Sequence, residues 1–319
     1  MSTRGVKATQ QVRHVEIGPD FQDQRIDNFL LRELKGVPRS LVYRLLRKGQ
    51  VRVNGGRIKA DYRLSAGDRV RVPPVRRPEE GETVAPPAGV LKRTEAAIIY
   101  EDDSVLVVNK PSGMAVHGGS GVPYGLVDVL RALRPTAKGL DLVHRLDRGT
   151  SGCILVAKKR SALRLLHAAF REGRVEKRYL ALVAGRLPRG EVPVEAALRR
   201  VKDRSGEHRV RTDGSGKASR TVFRARERFA DATLVQAELG TGRMHQIRVH
   251  AASMGHPVLG DAKYGDDEAN GRLRTLGLKR MFLHAEFLRL ALPDGRPLSV
   301  EAALPDDLAR VLAALRKTG

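Results

Sequence analysis

Residues 142–152 read Leu-Val-His-Arg-Leu-Asp-Arg-Gly-Thr-Ser-Gly and run directly into an apolar segment over residues 153–157, Cys-Ile-Leu-Val-Ala. The apolar segment predicts a buried strand, and the glycine-containing stretch before it predicts a loop that carries polar side chains. In this loop Asp147 lies between Arg145 and Arg148, and adjacent cations keep a carboxylate ionised, as a nucleophile or a general base requires. An aspartate beside an arginine is more often an ordinary surface pair, so the spacing alone leaves both interpretations open.

Two further stretches concentrate polar side chains. Residues 176–183, Glu-Lys-Arg-Tyr-Leu-Ala-Leu-Val, predict a strand whose Tyr179 faces either the core or a cleft. Residues 239–250, Leu-Gly-Thr-Gly-Arg-Met-His-Gln-Ile-Arg-Val-His, follow a glycine-rich entry and alternate basic with apolar side chains. The basic residues in this stretch are Arg243, His245, Arg248 and His250.

Five of the nine histidines lie in or beside these stretches, which raises the question of a metal site. They are His144, His245, His250, His256 and His284. The spacing of His245 and His250 fits no common zinc pattern, and the nearby arginines repel a cation. We therefore predict structural histidines in buried hydrogen-bond networks and no metal.

The composition excludes several classes of protein. An apolar fraction of 41% with 30% charged residues supports a folded core, and 319 residues favour two domains. A net charge of +23 predicts a polyanionic partner, with nucleic acid favoured over an anionic membrane surface. The single Cys153 excludes an internal disulfide and paired-cysteine zinc modules. The absence of a signal-peptide pattern and of a long apolar stretch predicts a cytoplasmic protein.

The first strong helical pattern lies near the N-terminus. Apolar residues recur at helical spacing over residues 25–34 and again over residues 37–46. Residues 51–55 then predict a strand that runs into an Asn-Gly turn, and residues 68–72 predict a further strand. Residues 24–77 hold fifteen Lys and Arg against four Asp and Glu. This excess of positive charge is explained either by a solvated basic surface or by an RNA-binding module. In an RNA-binding module, four cations of the second helix are expected to contact phosphates. These are Arg39, Arg44, Arg47 and Lys48.

The order of short motifs in this region resembles the S4 RNA-binding domain. The matching runs are Arg25-Ile-Asp-Asn-Phe-Leu, Arg39-Ser, Gly49-Gln-Val-Arg-Val-Asn-Gly and Gly67-Asp. We therefore predict a flexible N-terminus over residues 1–20, an S4-like domain over residues 21–77, and an extended proline-rich linker over residues 78–95. Residues 96–319 form a second domain that mixes strands and helices, so the fold class is α+β.

A basic segment over residues 199–220 interrupts this second domain and predicts a mobile hairpin. Its cations either grip a phosphate backbone or keep an exposed loop soluble, and the sequence favours neither.

Taken together, the polar stretches of the second domain resemble the signature motifs of the RluA-type pseudouridine synthases. The matching runs, in order, are His144-Arg-Leu-Asp-Arg-Gly-Thr-Ser-Gly, Lys177-Arg-Tyr-Leu-Ala, Thr241-Gly-Arg-Met-His-Gln-Ile-Arg-Val-His and Gly260-Asp-Ala-Lys-Tyr-Gly. The resemblance implies a catalytic domain built on a mixed, mainly antiparallel sheet. It also implies that uridine is isomerised in place to pseudouridine, with no cofactor and no metal.

The resemblance also implies roles for individual residues. Asp147 matches the family's essential aspartate, which either attacks the ribose carbon or abstracts a ribose proton. Arg248 is expected to pair with Asp147 and hold it charged, with Arg243 as the substitute candidate. Tyr179 matches the tyrosine that stacks on the uracil and assists proton removal from C5.

A target base inside folded RNA must be extruded before it reaches a carboxylate. Arg145 resembles the side chain that fills the vacated space, and Arg148 is expected to meet phosphate.

The S4-like domain combined with this catalytic subtype favours large-subunit (23S) ribosomal RNA, or its assembly intermediates, as the partner of a monomeric enzyme. Two alternatives stay open. The first is a non-catalytic RNA-binding or ribosome-associated protein, which would explain the charge but not the ordered motifs around Asp147, Tyr179 and Arg248. The second is a synthase of the same chemistry that acts on transfer RNA or another RNA.

Overall fold

The structure is a computed structural model that describes residues 11–34, 37, 39–75, 85–118, 122–202 and 207–318, with the backbone alone for Arg39, Ser40 and Thr318. The chain divides into two compact units, Met1–Ala85 and Pro86–Gly319. Within the described ranges, none of the helices combines the length and the apolar character needed to cross a bilayer.

The first unit packs two helices against a small sheet. Its elements are strand β1 (Arg13–Glu16), helix α1 (Ile26–Glu33), helix α2 (Arg39–Arg47), strand β2 (Arg52–Val53) and strand β3 (Arg69–Val72). The strands lie in the order β1-β3-β2 and are antiparallel. Both helices bury the apolar faces that their spacing predicted, and Phe29, Leu30 and Val42 are fully buried.

The Asn-Gly pair after β2 forms the predicted turn. Asn54 and Gly55 both have positive φ angles, 49° and 80°, which these two residue types adopt at low cost. The turn is closed by backbone hydrogen bonds between Val53 and Gly56 (3.1 and 2.8 Å), and Val53 also pairs with Val70 on β3.

The flexible segment predicted for residues 1–20 is wrong for the part of it that the structure describes. Residues 13–16 form β1, which pairs with β3 so that Val15 faces Val70. A strand of four residues is too short to show a clear period, and its backbone partner is distant in the chain. Residues 1–10 lie outside the described ranges.

The extended linker predicted for residues 78–95 is also wrong in its second half. Ala88–Ala96 form helix α3, which begins after Pro87 and packs against a helix further along the chain. Glu95 on α3 accepts hydrogen bonds from Arg134 (2.8 and 2.9 Å), and Thr94 is buried. Tertiary contacts and composition both support this helix, because six of its nine residues are Ala, Leu, Lys, Arg or Glu, which favour helix. Residues 78–84 lie outside the described ranges.

The second unit is built around one ten-stranded sheet. Its strands in chain order are β4 (Ile98–Glu101), β5 (Val105–Lys110), β6 (Asp141–Leu142), β7 (Ser151–Ala157), β8 (Glu176–Ala184), β9 (Glu191–Glu195), β12 (Arg220–Arg228), β13 (Ala232–Leu239), β14 (Leu283–Ala291) and β15 (Pro297–Glu301). A separate hairpin, β10 (Leu198–Lys202) and β11 (His208–Thr212), lies between β9 and β12 in the chain. The helices of this unit after α3 are α4 (Leu126–Leu133), α5 (Arg160–Arg171), α6 (Gln246–Ser253), α7 (Asp267–Thr275) and α8 (Asp306–Thr318).

The sheet confirms the predicted α+β class and the mixed, mainly antiparallel arrangement. Its order is β4-β5-β7-β14-β8-β13-β12-β9, with β15 paired to β14 and β6 paired to β7. The β14–β7 pair is parallel, whereas the other pairs of the sheet are antiparallel. The residues of β7 are all buried, as its unbroken apolar run predicted. The loop that precedes β7 therefore emerges from the middle of the sheet.

Candidate active site

Asp147 lies in the loop between β6 and β7, and neighbouring backbone fixes this loop. Ser112 Oγ donates to the carbonyl of Gly149 (2.8 Å), and the Gly113 N–H donates to the carbonyl of Arg148 (2.8 Å). The Asp147 side chain is 28% exposed, so the carboxylate is reachable but not freely solvated. A loop anchored on a rigid strand suits a side chain that must hold its position during a reaction.

Arg248 is the arginine that contacts Asp147. Its Nη1 lies 3.1 Å from Asp147 Oδ2, and its Nε and Nη2 donate to the two oxygens of Asp261 at 2.6 and 2.8 Å. Asp261 is buried and also accepts the backbone N–H of Lys263 (2.8 Å). The guanidinium is therefore held from one side by Asp261 and presented to Asp147 from the other.

The charges of this group depend on one another. Burial alone would raise the pKa of Asp261, but the hydrogen bonds and the charge of Arg248 outweigh burial and lower it. Burial alone would lower the pKa of Arg248, but Asp261 and Asp147 raise it overall. The arginine is therefore a permanent cation beside Asp147.

Helix α6 brings Arg248 to this position. Arg248 and His250 lie on this helix, whereas Arg243 and His245 precede it, and His245 has a left-handed backbone (φ 55°). The entry into α6 is fixed by the buried side chain of Gln246, whose Oε1 accepts from Thr241 Oγ1 (2.7 Å) and from the Arg243 N–H (3.0 Å). The sharp entry turns Arg248 inward and leaves Arg243 exposed, where its Nε donates to the carbonyl of Ala218 (3.3 Å).

Tyr179 lies on β8 and is buried within the same apolar cluster as Leu146, the residue before Asp147. Burial raises the pKa of its hydroxyl above the usual range, and the negative charge of Asp147 adds to this effect. At neutral pH Tyr179 is therefore a neutral phenol beside the carboxylate.

The remaining predicted RNA contacts are surface residues. Arg145 and Arg148 are exposed on either side of Asp147, and Arg148 Nε donates to the carbonyl of Gly113 (2.9 Å). The side chains of Arg44 and Arg47 on α2 and of Lys48 directly after it are exposed, whereas the side chain of Arg39 lies outside what the structure describes.

The predicted hairpin is present as β10–β11 and is attached to the site. Tyr264 Oη accepts the backbone N–H of Val210 on β11 (2.8 Å), and Lys263 Nζ donates to the carbonyl of His208 (2.7 Å). Val210 and Leu198 of the hairpin form a small buried cluster with Val249 of α6. Residues 203–206 lie outside the described ranges.

The five histidines near the motifs each make hydrogen bonds, as predicted. His284 lies between Ser151 Oγ (3.0 Å) and the carbonyl of Ala302 (2.9 Å), and His250 contacts Ser219 and Thr221. His144 Nε2 accepts the backbone N–H of Leu155 (3.0 Å), and His256 contacts the carbonyl of Ala184 (2.7 Å). His245 contacts Tyr264 Oη (2.8 Å). Among the described residues, no group of three or more His, Cys, Asp or Glu side chains is arranged to hold a metal ion.

Three residues of this site have roles that their sequence motifs did not predict. Asp261 and Tyr264 lie in the Gly260–Gly265 motif, but nothing in the chain before folding shows that they contact Arg248 and His245. Lys110 ends β5 with no exposed surface, and its ammonium donates to the carbonyls of Pro111 (2.9 Å), Met114 (3.0 Å) and Arg148 (3.4 Å). A lysine at the end of a continuous apolar strand is the signal that could have identified it.

Comparison with known sequence families matches two parts of the chain. The S4 domain matches residues 24–70, and the family described as RNA pseudouridylate synthase matches residues 104–253. The first match lies within the first compact unit, and the second includes Asp147, Tyr179 and Arg248.

Close relatives cover almost the whole chain. The protein named ribosomal large subunit pseudouridine synthase C of Salmonella typhimurium is 52% identical over 97% of this chain and 98% of its own length. The protein of the same name from Pasteurella multocida is 51% identical over 97% of this chain and 95% of its own length.

Two solved structures also resemble this chain. Human RNA pseudouridylate synthase domain containing 4 has a TM-score of 0.60 at 27% identity, over 72% of this chain and 96% of its own. Human RNA pseudouridylate synthase domain containing 1 has a TM-score of 0.56 at 29% identity, over 69% of this chain and 94% of its own. The chain therefore belongs to the RNA pseudouridylate synthase family, and it carries an S4 domain ahead of the synthase domain.

Proposed function

We propose that this protein isomerises specific uridines of large-subunit ribosomal RNA to pseudouridine, with Asp147 as the catalytic carboxylate. One observation carries the assignment of Asp147: Arg248, itself held by the buried Asp261, presents a guanidinium to the Asp147 carboxylate. The choice of ribosomal RNA is supported by the near full-length similarity to proteins named for the large ribosomal subunit and by the S4 domain.

The reaction needs no net addition or loss. The bond between N1 and the ribose breaks, the uracil turns, C5 bonds to the same ribose carbon, and the proton that C5 loses is matched by one gained at N1. Asp147 acts on the ribose, either by attack on the carbon or by removal of a ribose proton, and both routes require an ionised carboxylate. The permanent cation of Arg248 supplies that condition.

Tyr179 is suited to stacking on the uracil while it turns. Its ring is fixed by the core around it, and aromatic rings hold unpaired bases by stacking. Because burial raises the pKa of its hydroxyl, the neutral phenol favours stacking and hydrogen bonding over direct removal of the C5 proton.

The target base has to leave its stack before it reaches Asp147, at a cost of a few kcal/mol. We assign Arg145 to the space that the base vacates, and Arg148, Arg243 and the exposed cations of α2 to phosphate contacts. We further propose that the protein acts as a monomer in the cytoplasm, on ribosomal RNA or on a ribosome assembly intermediate.

The proposal is tested by incubating the full-length protein with separate transcripts of large-subunit ribosomal RNA, small-subunit ribosomal RNA and transfer RNA. Pseudouridine is then quantified by nuclease digestion and mass spectrometry. Product in the large-subunit transcript alone supports the proposal. Product in transfer RNA alone would identify a different substrate, and absence of product in all three, and in ribosomal particles, would favour a non-catalytic RNA-binding protein.

The role of Asp147 is tested by Asp147→Asn, which keeps the shape of the side chain but removes its charge. We expect unchanged RNA binding and no detectable isomerisation. Asp141→Asn is a matched control, because Asp141 lies before the same loop and pairs with Arg160 (3.5 Å) away from Arg248. Substantial product from Asp147→Asn would remove this residue from the catalytic role.

A further inference from the structure

The hydroxyl of Tyr264 joins the β10–β11 hairpin to His245. Its oxygen lies 2.8 Å from the backbone nitrogen of Val210 and 2.8 Å from His245 Nδ1. The far nitrogen of the same imidazole, Nε2, lies 3.7 Å from Asp147 Oδ2. A short chain of groups therefore runs from the hairpin to the proposed catalytic carboxylate.

The hydrogen bonds that link Val210, Tyr264 and His245 have one arrangement of protons in which each donor has an acceptor. The N–H of Val210 can only donate, so the oxygen of Tyr264 accepts from it. The single hydroxyl proton of Tyr264 then goes to His245 Nδ1, which must be unprotonated to accept it. A neutral imidazole carries its proton on the other nitrogen, so Nε2–H faces Asp147.

The opposite tautomer is disfavoured at both ends of the ring. It would leave the Tyr264 hydroxyl proton without this acceptor, and it would place the lone pair of Nε2 against the negative Asp147. The ring is also kept neutral, because burial lowers the pKa of His245 more strongly than Asp147 and Asp261 raise it. The cations Arg248 and Lys263 add to the lowering.

Both donors reach the same oxygen of Asp147. Arg248 Nη1 and His245 Nε2 each approach Oδ2, whereas Oδ1 accepts no hydrogen bond from the described residues. The distance of 3.7 Å is too long for a hydrogen bond, but such contacts tighten when substrate binds. With Oδ2 held by these groups, Oδ1 stays available to act on the ribose.

We propose that Tyr264 is a positioning residue, which uses a hydroxyl fixed by Val210 of the hairpin to hold His245 with its Nε2–H toward Asp147. This inference rests on the proposed role of Asp147. It adds the hairpin to the site as the element that sets the histidine tautomer. Further contacts hold the hairpin in place, since Lys263 Nζ donates to Glu207 and to the carbonyl of His208.

The direct test reads the tautomer of His245 by nuclear magnetic resonance of the full-length protein labelled with ¹⁵N-histidine. The His245 signals are assigned by their loss in His245→Asn. We expect protonation at Nε2 in the wild type, and a mixed or reversed tautomer in Tyr264→Phe, which keeps the ring and removes the hydroxyl. Protonation at Nδ1 in the wild type would overturn the proposal.

The kinetic test compares single-turnover isomerisation with RNA affinity. We expect Tyr264→Phe to slow isomerisation about tenfold, the factor that 1.4 kcal/mol of lost transition-state stabilisation gives, with RNA affinity unchanged. Tyr100→Phe is the matched control, because it removes a comparable bond to a carboxylate, Asp102 (3.0 Å), outside the site. An unchanged rate in Tyr264→Phe would overturn the proposal.

Two replacements of His245 separate positioning from a merely structural role. Gln extends an amide donor toward the place of Nε2, so His245→Gln should retain much of the rate. Asn tolerates the left-handed backbone at this position, but its amide reaches only the place of Nδ1. His245→Asn should therefore lose most of the isomerisation rate. Adding Tyr264→Phe to His245→Asn should cause no further loss, and additive losses would overturn the proposal.

The outcomes also separate this inference from the proposed function. Full activity of Asp147→Asn would overturn the function assigned to Asp147 and this inference with it. An inactive Asp147→Asn together with a wild-type His245 protonated at Nδ1 would overturn this inference alone.

Discussion

Arg248 and Asp261 form a buried two-point ion pair, with Nε and Nη2 of the arginine 2.6 and 2.8 Å from the two carboxylate oxygens. Because two nitrogens of the guanidinium are fixed in this way, the third, Nη1, has one available direction, which leads to Asp147 at 3.1 Å. The Arg248–Asp261 pair therefore sets the geometry of the proposed catalytic carboxylate although Asp261 does not contact it.

Replacing Asp261 by Asn tests this arrangement. Asn cannot accept from both nitrogens of Arg248, and it leaves a buried cation without its charge partner. We expect the free energy of unfolding to fall by about 3–5 kcal/mol and isomerisation to slow even at temperatures where the variant is fully folded. Urea denaturation and single-turnover assays measure the two effects.

Glu268→Gln, which breaks the exposed pair with Arg272, is the control and should change neither. A stable and fully active Asp261→Asn would show that Asp147 does not need this support.

Gly149, in the loop that carries Asp147, and Gly152, in the strand β7 that follows it, allow a matched test. Gly152 has φ 111°, and an added Cβ would lie 2.2 Å from the carbonyl oxygen of Ala285 on the neighbouring strand. At Gly149 the nearest atom to an added Cβ is the end of the Met281 side chain at 3.5 Å, which is ordinary contact. We expect Gly152→Ala to lower the free energy of unfolding by at least about 3 kcal/mol, and Gly149→Ala to change it by less than about 1 kcal/mol. Thermal and urea unfolding of both variants check this, and equal stabilities would contradict the strand geometry.

The sequence was sufficient to predict the parts of the fold that depend on local pattern. The two helices of the first unit, the Asn54-Gly55 turn and the buried strand β7 all follow from periodicity or from turn chemistry. Asp147, Tyr179 and Arg248 were identified because their motifs resemble those of a family. The structure brings Arg248 to Asp147 and leaves Arg243, the substitute candidate, on the surface.

The parts that the sequence did not predict depend on contacts between distant segments. Strand β1 exists because β3 offers it a backbone partner, and helix α3 packs against α4 and pairs Glu95 with the distant Arg134. The role of Asp261 depends on its contact with Arg248, and pairwise proximity of this kind has no local sequence signal.

The exposed cations at the end of α2, together with Lys48 directly after it, provide a test of RNA binding by the first unit. Replacing Arg44, Arg47 and Lys48 together by Gln removes three cations without touching the apolar face of the helix. Each lost phosphate contact lowers the slope of log affinity against log salt by about 0.7 for single-stranded RNA, so we expect a decrease of roughly 2. Filter binding of a large-subunit ribosomal RNA fragment over a range of salt concentrations measures the slope.

A control for this experiment removes the same charge elsewhere. Arg272, Arg274 and Arg310 are exposed on α7 and α8, and their joint replacement by Gln should leave the slope nearly unchanged. An equal decrease in both triple variants would mean that net charge, rather than the surface of α2, determines RNA affinity.

Lys110 provides a test that depends on pH. Burial lowers the pKa of Lys110 from 10.5 to about 7, so over this range the unfolded chain holds a proton that the folded chain releases. The contribution of this group to stability therefore rises as the pH increases from about 7 to 10.5, by at most about 1.4 kcal/mol per pH unit.

Lys110→Met removes the contribution, so the free energy of unfolding of the wild type should increase relative to the variant across that range. Urea denaturation at several pH values measures this difference. For the control Lys279→Met, at an exposed lysine, the difference in free energy of unfolding from the wild type should stay constant with pH. The three carbonyls around the ammonium favour its charged form, so a difference that shrinks with increasing pH would mean that these acceptors outweigh burial.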